Sequence, residues 1–307
     1  MPGTEREAAE ISGFINLLKP PGITSHTAVA EVRRLLQVKT GHAGTLDPAA
    51  AGVLVICLGR ATRLASFAAD SPKRYRAEVT FGLATDTLDA EGRVTEESDA
   101  SGLEEHALRS IIAGFTGEVE QIPPAFSALQ VGGKRLYELA RKGQQVSPQA
   151  RKVTVHGIEL IAFSPGQRAT AMLDIRCGKG TYVRSLCADI GRALGQPAYV
   201  SFLLRTAVGD FRISESKTLE EVGQAVAEAR PAELLLPPDE PLKGLAHTVV
   251  APAEARLLIN GSAVRWDGPA AAMVRVYDRQ GNLIALAKAE QGGVLCPTLV
   301  LARREQP

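Results

Sequence analysis

The segment from Arg74 to Phe81 constrains this chain more than any other: Tyr75, Ala77, Val79 and Phe81 alternate with Arg74, Arg76, Glu78 and Thr80. A period of two marks a half-buried strand and turns Tyr75 toward the apolar side. A second strand follows from Leu173, Ile175 and Cys177 alternating with Asp174 and Arg176, and it ends at Gly178-Lys179-Gly180. Helical periods lie around these strands. Ile23 to Val38 reads as a helix capped near Thr24 or Ser25, with Val29, Val32 and Leu36 on one side. Ser101-Gly102-Leu103-Glu104 has the form of a capping box opening a helix with Leu108, Ile111, Ile112 and Phe115 as its apolar set. A further helix starts near Thr181 and puts Val183, Leu186, Cys187 and Ile190 on one face, with Arg184 in its first turn and off that face. The apolar run Gly52 to Leu58 fits either a buried strand or a short helix. Strands and helices mix without a regular βαβ rhythm.

A composition shift from Pro231 to Pro241, with Pro237 and Pro238 inside it, marks a domain boundary near residue 240. Beyond it, short apolar runs (Arg256 to Ile259, Met273 to Tyr277, Leu283 to Leu286, Thr298 to Ala302) are separated by turn signals at Asn260-Gly261, Gly281-Asn282 and Gly292-Gly293. That spacing predicts a small β-rich domain over 241–307. A length of 307 residues with 45% hydrophobic content suffices for one large core plus this accessory unit. The longest apolar stretch, Ala49 to Leu58, is too short for a membrane span, and the N-terminus, with Glu5, Glu7 and Glu10, lacks a secretory signal pattern. A cytoplasmic location is expected. Cys57, Cys177, Cys187 and Cys296 form no C-x-x-C pair and the five histidines are scattered, so neither a zinc site nor a disulfide framework is expected.

A net charge of +1 is too small to announce a nucleic-acid partner, but its distribution is uneven. Between Val131 and His156 lie Lys134, Arg135, Arg141, Lys142, Arg151 and Lys152 against Glu138 alone, whereas Asp86 to Glu105 carries eight acids and one arginine. The basic run reads as a phosphate-binding patch or as a solvated helix face. Gly178-Lys179-Gly180-Thr181 lacks the spacing of a nucleotide-binding phosphate loop. Gly41-His42-Ala43-Gly44-Thr45-Leu46-Asp47-Pro48, with two glycines, an Asp-Pro and no helical period, is an ordered loop. Taken alone, its Asp-Pro means a turn or a cap.

That octet, followed by Ala51-Gly52-Val53-Leu54, resembles the catalytic motif of the TruB family, the bacterial tRNA pseudouridine-55 synthases. Similar segments recur in order: Leu18-Lys19-Pro20-Pro21-Gly22, Lys73-Arg74-Tyr75-Arg76, Gln121-Ile122-Pro123-Pro124 with Ser127-Ala128-Leu129, Lys179-Gly180-Thr181-Tyr182-Val183-Arg184, and Leu203 to Val208 with Arg205. The resemblance spans roughly residues 12 to 240. It implies an α+β fold, a mixed central sheet with flanking helices forming a catalytic domain over 1–240, and a C-terminal PUA-like RNA-binding domain matched only by its location and β-rich pattern. It departs from the family at Ala49 and Ala51, where many relatives carry a bulkier residue and a hydroxyl, so packing after the Asp-Pro is expected to differ.

The activity implied is isomerisation of uridine 55 in the T-arm of tRNA: the N1–C1′ bond breaks, the uracil rotates, and C5 bonds to C1′. Such chemistry calls for a carboxylate beside the ribose that attacks C1′, as in retaining glycosidases, or removes the 2′ proton. The resemblance assigns this role to Asp47, held charged by an ion pair with Arg184. It makes Tyr75 the residue that stacks on the base and assists loss of the C5 proton, and sets Tyr182 and Leu203 around the uracil. His42 takes the place of the flipped-out nucleotide, and Lys19 joins the substrate-binding set. The basic run (Lys134, Arg135, Arg141, Lys142, Arg151, Lys152) falls in an insertion of about 124–152 that closes over the T-arm. No cofactor, metal or guide RNA is implied, and a monomer is expected. Relatives in archaea and eukaryotes that modify ribosomal RNA within guide-RNA particles commonly carry long basic tails, and no such tail is expected here.

Overall fold

A computed structural model describes residues 11–124 and 149–302, together with the backbone of a two-strand ladder at Gln130–Val131 and Lys134–Arg135. In chain order the strands of the main sheet are β1 (Gly13–Lys19), β2 (Thr40–Ala43), β3 (Ala51–Leu58) and β4 (Lys73–Phe81). A separate ribbon of β5 (Leu83–Thr85) and β6 (Val94–Glu97) follows, and then β7 (Gly117–Gln121). The ladder just named is β8 and β9, after which β10 (Arg151–Ser164), β11 (Thr170–Cys177), β12 (Ala198–Val208) and β13 (Phe211–Arg212) complete the sheet. Its order is β1-β3-β12-β4-β11-β10-β7, with β2 on β3 and β13 on β12. The β3–β12 pair is parallel and the others antiparallel, so the sheet is mixed.

The apolar run at Gly52–Leu58 is a strand, not a helix, and its lack of alternation has a direct cause. Leu54, Ile56 and Leu58 enter one core and Val53, Val55 and Cys57 another, so both faces of β3 are buried. Gly52 is required where β3 meets β12. Its φ is +114°, and a Cβ there would lie 2.2 Å from the Arg205 carbonyl oxygen and 2.7 Å from the Arg205 nitrogen. On β4 the alternation holds from Arg74 to Val79, with Tyr75, Ala77, Val79 and Phe81 buried in the larger core, but Thr80, expected on the polar side, is buried as well.

Helix α1 (Ser25–Leu36) is capped by Thr24, whose hydroxyl accepts the Thr27 N–H at 3.0 Å, and it buries Val29, Val32 and Leu36. Helix α2 (Ala65–Asp70) precedes β4. Helix α3 (Glu105–Ala113) corrects the capping box expected at Ser101–Glu104: Glu104 is the N-cap and makes no side-chain cap bond. The Ser101 N–H is instead taken by Asp99 Oδ1 at 2.8 Å, which folds Ser101 into the turn before the helix. Leu108 and Ile112 are buried as expected. Helix α4 (Val183–Ala193) buries Val183, Leu186, Cys187 and Ile190. Arg184, read as lying off that face, is buried as well, at 4% exposure.

Helix α5 (Leu219–Ala227) packs on α1 and leads through the proline-rich stretch to a second, five-stranded sheet. This comprises β14 (Ala246–Val249), β15 (Val264–Arg265), β16 (Ala271–Tyr277), β17 (Leu283–Glu290) and β18 (Val294–Val300). The run Arg256–Ile259, expected as part of a β-rich pattern, belongs to helix α6 (Pro252–Ile259). Pro252 opens it, and the Glu254 carboxylate reaches back to the Ala251 N–H at 2.8 Å. Leu286 and Leu301 of the second unit share a core with Phe14, Val53, Val55 and Phe211 of the first. Among the described residues no helix is long and apolar enough to cross a membrane.

Candidate active site

The loop after β2 is held from three sides before any side chain reaches into a cavity. Ser25 Oγ, at the start of α1, accepts the Leu46 N–H and donates to the Leu46 carbonyl, both at 2.9 Å. The Gly22 N–H donates to the Pro48 carbonyl at 2.9 Å. Lys19 is fully buried, and its ammonium donates to the carbonyls of Pro20 (2.8 Å), Ile23 (2.8 Å) and Pro48 (3.2 Å). Burial lowers it to about 8 against the upward pull of Asp47. Lys19 thus ties the loop down and does not line the cavity. Arg205, on β12 and 1% exposed, completes the cradle from below: it donates to the carbonyls of Val53 (2.7 Å), Thr45 (3.2 Å) and Gly44 (2.9 Å). A buried cation is tolerated where carbonyl oxygens replace its lost hydration.

These contacts present Asp47 to a cavity of about 350 Å³ lined by Gly44 to Asp47, Lys73, Tyr75, Arg151, Tyr182, Arg184, Leu203 and Arg205, among others. Arg184 Nε lies 2.9 Å from Asp47 Oδ2. The same guanidinium, through Nη1, donates to the Thr87 carbonyl at 2.7 Å and to Asp89 Oδ2 at 3.1 Å. Asp89 is itself fixed by the Thr87 hydroxyl at 2.5 Å and the Glu91 N–H at 3.1 Å. One planar cation therefore joins two carboxylates and a carbonyl, a geometry its fork of donors suits. Asp47, its carboxylate 36% exposed, is the member of the group open to a ligand.

Tyr75 projects from β4 into the cavity, and burial raises its phenol above the usual value. Tyr182 is anchored by its backbone, which donates to Gln121 Oε1 at 2.7 Å and accepts from Gln121 Nε2 at 3.0 Å. Arg151 lies over its ring, 4.8 Å from the centroid, and donates to the Gly180 carbonyl. Leu203 supplies an apolar wall. Hence Asp47, Tyr75, Tyr182, Arg184, Leu203 and Arg151 come together around one space, from segments up to 156 positions apart in sequence.

Other expected residues sit elsewhere. His42 lies on β2 opposite Ile56, edge-on to His26 at 5.7 Å between ring centroids, outside the cavity lining. Burial first, then His26 and Arg205, push it down to about 4, so the ring is neutral at pH 7. Lys152 is exposed and pairs with Glu118 at 3.3 Å. Lys134 and Arg135 fall on the β9 backbone, where no side chain is described, and Arg141 and Lys142 lie outside the described residues. Two cationic members of the lining, Lys73 and Arg205, stand in segments similar to the family's but show no local sign of a role in the sequence. Asp89 was hidden inside the acidic stretch, where charge counting treats all eight acids alike. Among the described residues no three His, Cys, Asp or Glu side chains converge as a metal site.

Comparison with known proteins adds to this geometry. The model for the N-terminal domain of the TruB family of pseudouridylate synthases matches residues 33–183, and the model for the tRNA pseudouridylate synthase B C-terminal domain matches 184–243. A tRNA pseudouridine synthase B of Symbiobacterium thermophilum is 50% identical over 257 residues, covering 83% of this chain and 84% of that protein. One from Caldanaerobacter subterraneus subsp. tengcongensis is 42% identical over 282 residues, covering 91% and 96%. Among solved structures, a Cbf5-Nop10-Gar1 complex matches with TM-score 0.73 at 26% identity, covering 95% of this chain and 85% of that one. The archaeal box H/ACA sRNP Nop10-Cbf5 complex gives 0.72 at 24%, covering 95% and 87%. The α+β architecture described above is the fold these structures share.

Proposed function

The chain belongs to the TruB family of pseudouridylate synthases and is an enzyme of tRNA pseudouridylation; on that premise we propose that it isomerises uridine 55 of the T-loop, on a flipped-out nucleotide, with Asp47 as catalytic carboxylate. The observation that carries this reading is the 2.9 Å contact between Asp47 and the buried Arg184 at the edge of a cavity that also contains Tyr75 and Leu203. A carboxylate that meets developing positive charge at C1′, or takes the C2′ proton, must be ionised and aimed, and a bridging guanidinium does both.

In this reading Tyr75 stacks on the base while Tyr182 and Leu203 hold the uracil's edges. No atoms enter or leave the substrate, so the reaction calls for no cofactor. Because C1′ and C5 are inaccessible in a stacked loop, the nucleotide leaves the stack at a cost of a few kcal/mol. His42 refills the gap. Its neutral state suits it to act through the faces of its ring, not through charge. The basic run from Lys134 to Lys152 clasps T-arm phosphates, with the PUA-like second sheet as an additional RNA contact. The protein works as a cytoplasmic monomer on free tRNA, without guide RNA.

The test is incubation of the purified protein with an unmodified tRNA transcript and no other RNA or protein, followed by carbodiimide mapping of pseudouridine. A single stop assigned to position 55 is expected. Absence of pseudouridine, or its appearance at another uridine, overturns the reading.

A further inference from the structure

We infer that Lys73 is a further catalytic residue, whose ammonium donates a hydrogen bond to a uracil carbonyl and stabilises the base as it leaves C1′. The inference rests on the cavity being a uridine site, as proposed above. When the N1–C1′ bond breaks, its electron pair departs with the uracil, and the negative charge spreads over N1, O2 and O4. Chemistry of this kind gains most from a fixed cation or donor aimed at the oxygen where charge develops. Asp47 and Arg184 act at the ribose and leave that requirement unmet.

Lys73 meets it by position. It lines the cavity although it is only 8% exposed, and its Cε packs against the place where Gly44 has no side chain. It stands two residues before Tyr75 on β4, so the two side chains leave the same face of the sheet roughly 7 Å apart along the strand. If Tyr75 covers the face of the base, Lys73 reaches its edge. Two of its three N–H groups are engaged, by the carbonyls of Ala69 and Ser71 at the end of α2, the latter at 2.7 Å. That leaves one donor on a nitrogen whose direction is already fixed.

The other cations in the lining make different contacts. Arg184 is matched by Asp47 and Asp89. Arg205 donates to the backbone carbonyls of Val53, Thr45 and Gly44. Arg151 lies over the Tyr182 ring and donates to the Gly180 carbonyl, and its Nε is buried without a hydrogen-bond partner among the described residues. The carboxylate acting on Lys73 is Asp70, which itself pairs with Lys179 at 2.8 Å. Burial first, then the nearby Arg205, lower the Lys73 ammonium to about 8 against the upward pull of Cys177 and Asp70, so an anionic uracil beside it would favour its charged form.

The step balances without proton transfer from Lys73. The N1–C1′ pair goes to the ring as Asp47 bonds to C1′ or takes the C2′ proton, and Lys73 hydrogen-bonds the resulting anion. Ring electrons at C5 then form the C5–C1′ bond as the Asp47–C1′ bond breaks or the C2′ proton returns, and the C5 proton is lost while N1 gains one. Substrate and product remain isomers.

A leaving-group comparison tests this. Uridine and 5-fluorouridine are placed at the target position of the same tRNA, and single-turnover loss of the parent nucleoside is measured for wild type, Lys73→Met and Lys73→Gln, with tRNA affinity and melting temperature measured alongside. Fluorine stabilises the uracil anion by induction, so the base then needs less help in leaving. Expected is a slowing on the order of 100-fold with uridine, a penalty several-fold smaller with 5-fluorouridine, affinity within a few-fold of wild type, and partial recovery in Lys73→Arg. Equal penalties for the two nucleosides, or a loss confined to tRNA affinity as a phosphate contact would give, overturn the assignment. Should one neutral variant fail to fold, the other and Lys73→Arg carry the same comparison. Wild type lacking activity on uridine would instead count against the proposed function itself.

Discussion

Replacing Arg184 by methionine removes the guanidinium that joins Asp47 to Asp89 while keeping an unbranched side chain. The guanidinium is 5% exposed and contacts two carboxylates and the Thr87 carbonyl, so three acceptors lose a donor at once. Removing one partner of a buried ion pair costs about 3–5 kcal/mol. Asp89 keeps the Thr87 hydroxyl and the Glu91 N–H, and Asp47 is partly in water, which points to the lower end. For a chain of 307 residues, about 3 kcal/mol corresponds to a fall in melting temperature of roughly 4–6 °C. The kinetic effect is larger. Asp47 loses both its aim and its compensating charge, and misplacement and lost preorganisation each cost on the order of 10²-fold, so about 10²- to 10⁴-fold in rate is expected. Arg184→Lys should fall between, because a single ammonium cannot bridge Asp47, Asp89 and the Thr87 carbonyl together. Single-turnover pseudouridine formation at saturating enzyme, below the variant's melting temperature, isolates the rate from binding. A folded Arg184→Met protein with near wild-type rate, or one whose defect lies wholly in tRNA affinity, would refute the reasoning.

Gly52→Ala should yield little soluble protein, because the new methyl collides with the Arg205 backbone at a φ of +114°; a normal melting curve would contradict that packing. His42→Phe should retain turnover within a few-fold while His42→Ala loses about 3- to 10-fold in kcat/KM, the worth of an aromatic stack; a severe loss in the phenylalanine variant would mean that an imidazole nitrogen matters. The lowered His42 value also fixes a pH dependence. Between about 6.5 and about 4 the unfolded chain binds a proton that the folded chain refuses, so wild type loses stability relative to His42→Phe as pH falls through that window. Melting temperatures of the two proteins from pH 7 to pH 4 check the sign.

What the sequence made legible follows from where the physics is local. Alternation on β4 depends on one sheet face being buried, and it correctly turned Tyr75 inward. Helix α1 announced itself through a cap and a stripe that need no distant partner. The run at Gly52–Leu58 stayed ambiguous because burial on both faces erases the period that separates strand from helix. Ser101–Glu104 misled because Asp99, two residues earlier, competes for the same N–H. Asp47, Tyr75 and Arg184 could be named together only through resemblance to a family, since nothing local ties positions so far apart. Asp89, Lys73 and the loop-holding work of Lys19 and Arg205 required the fold. Each depends on a carbonyl or carboxylate delivered by another element, and a lysine or aspartate in a charged stretch gives no local sign of that.

The central claim is that Asp47 performs the chemistry and contributes little to holding the RNA. The direct measurement is Asp47→Asn, nearly isosteric and still able to meet Arg184, assayed for tRNA affinity and for pseudouridine at position 55 in the same preparation. The account predicts affinity within a few-fold of wild type and no detectable product; turnover above the level of a rigorously purified blank would contradict it.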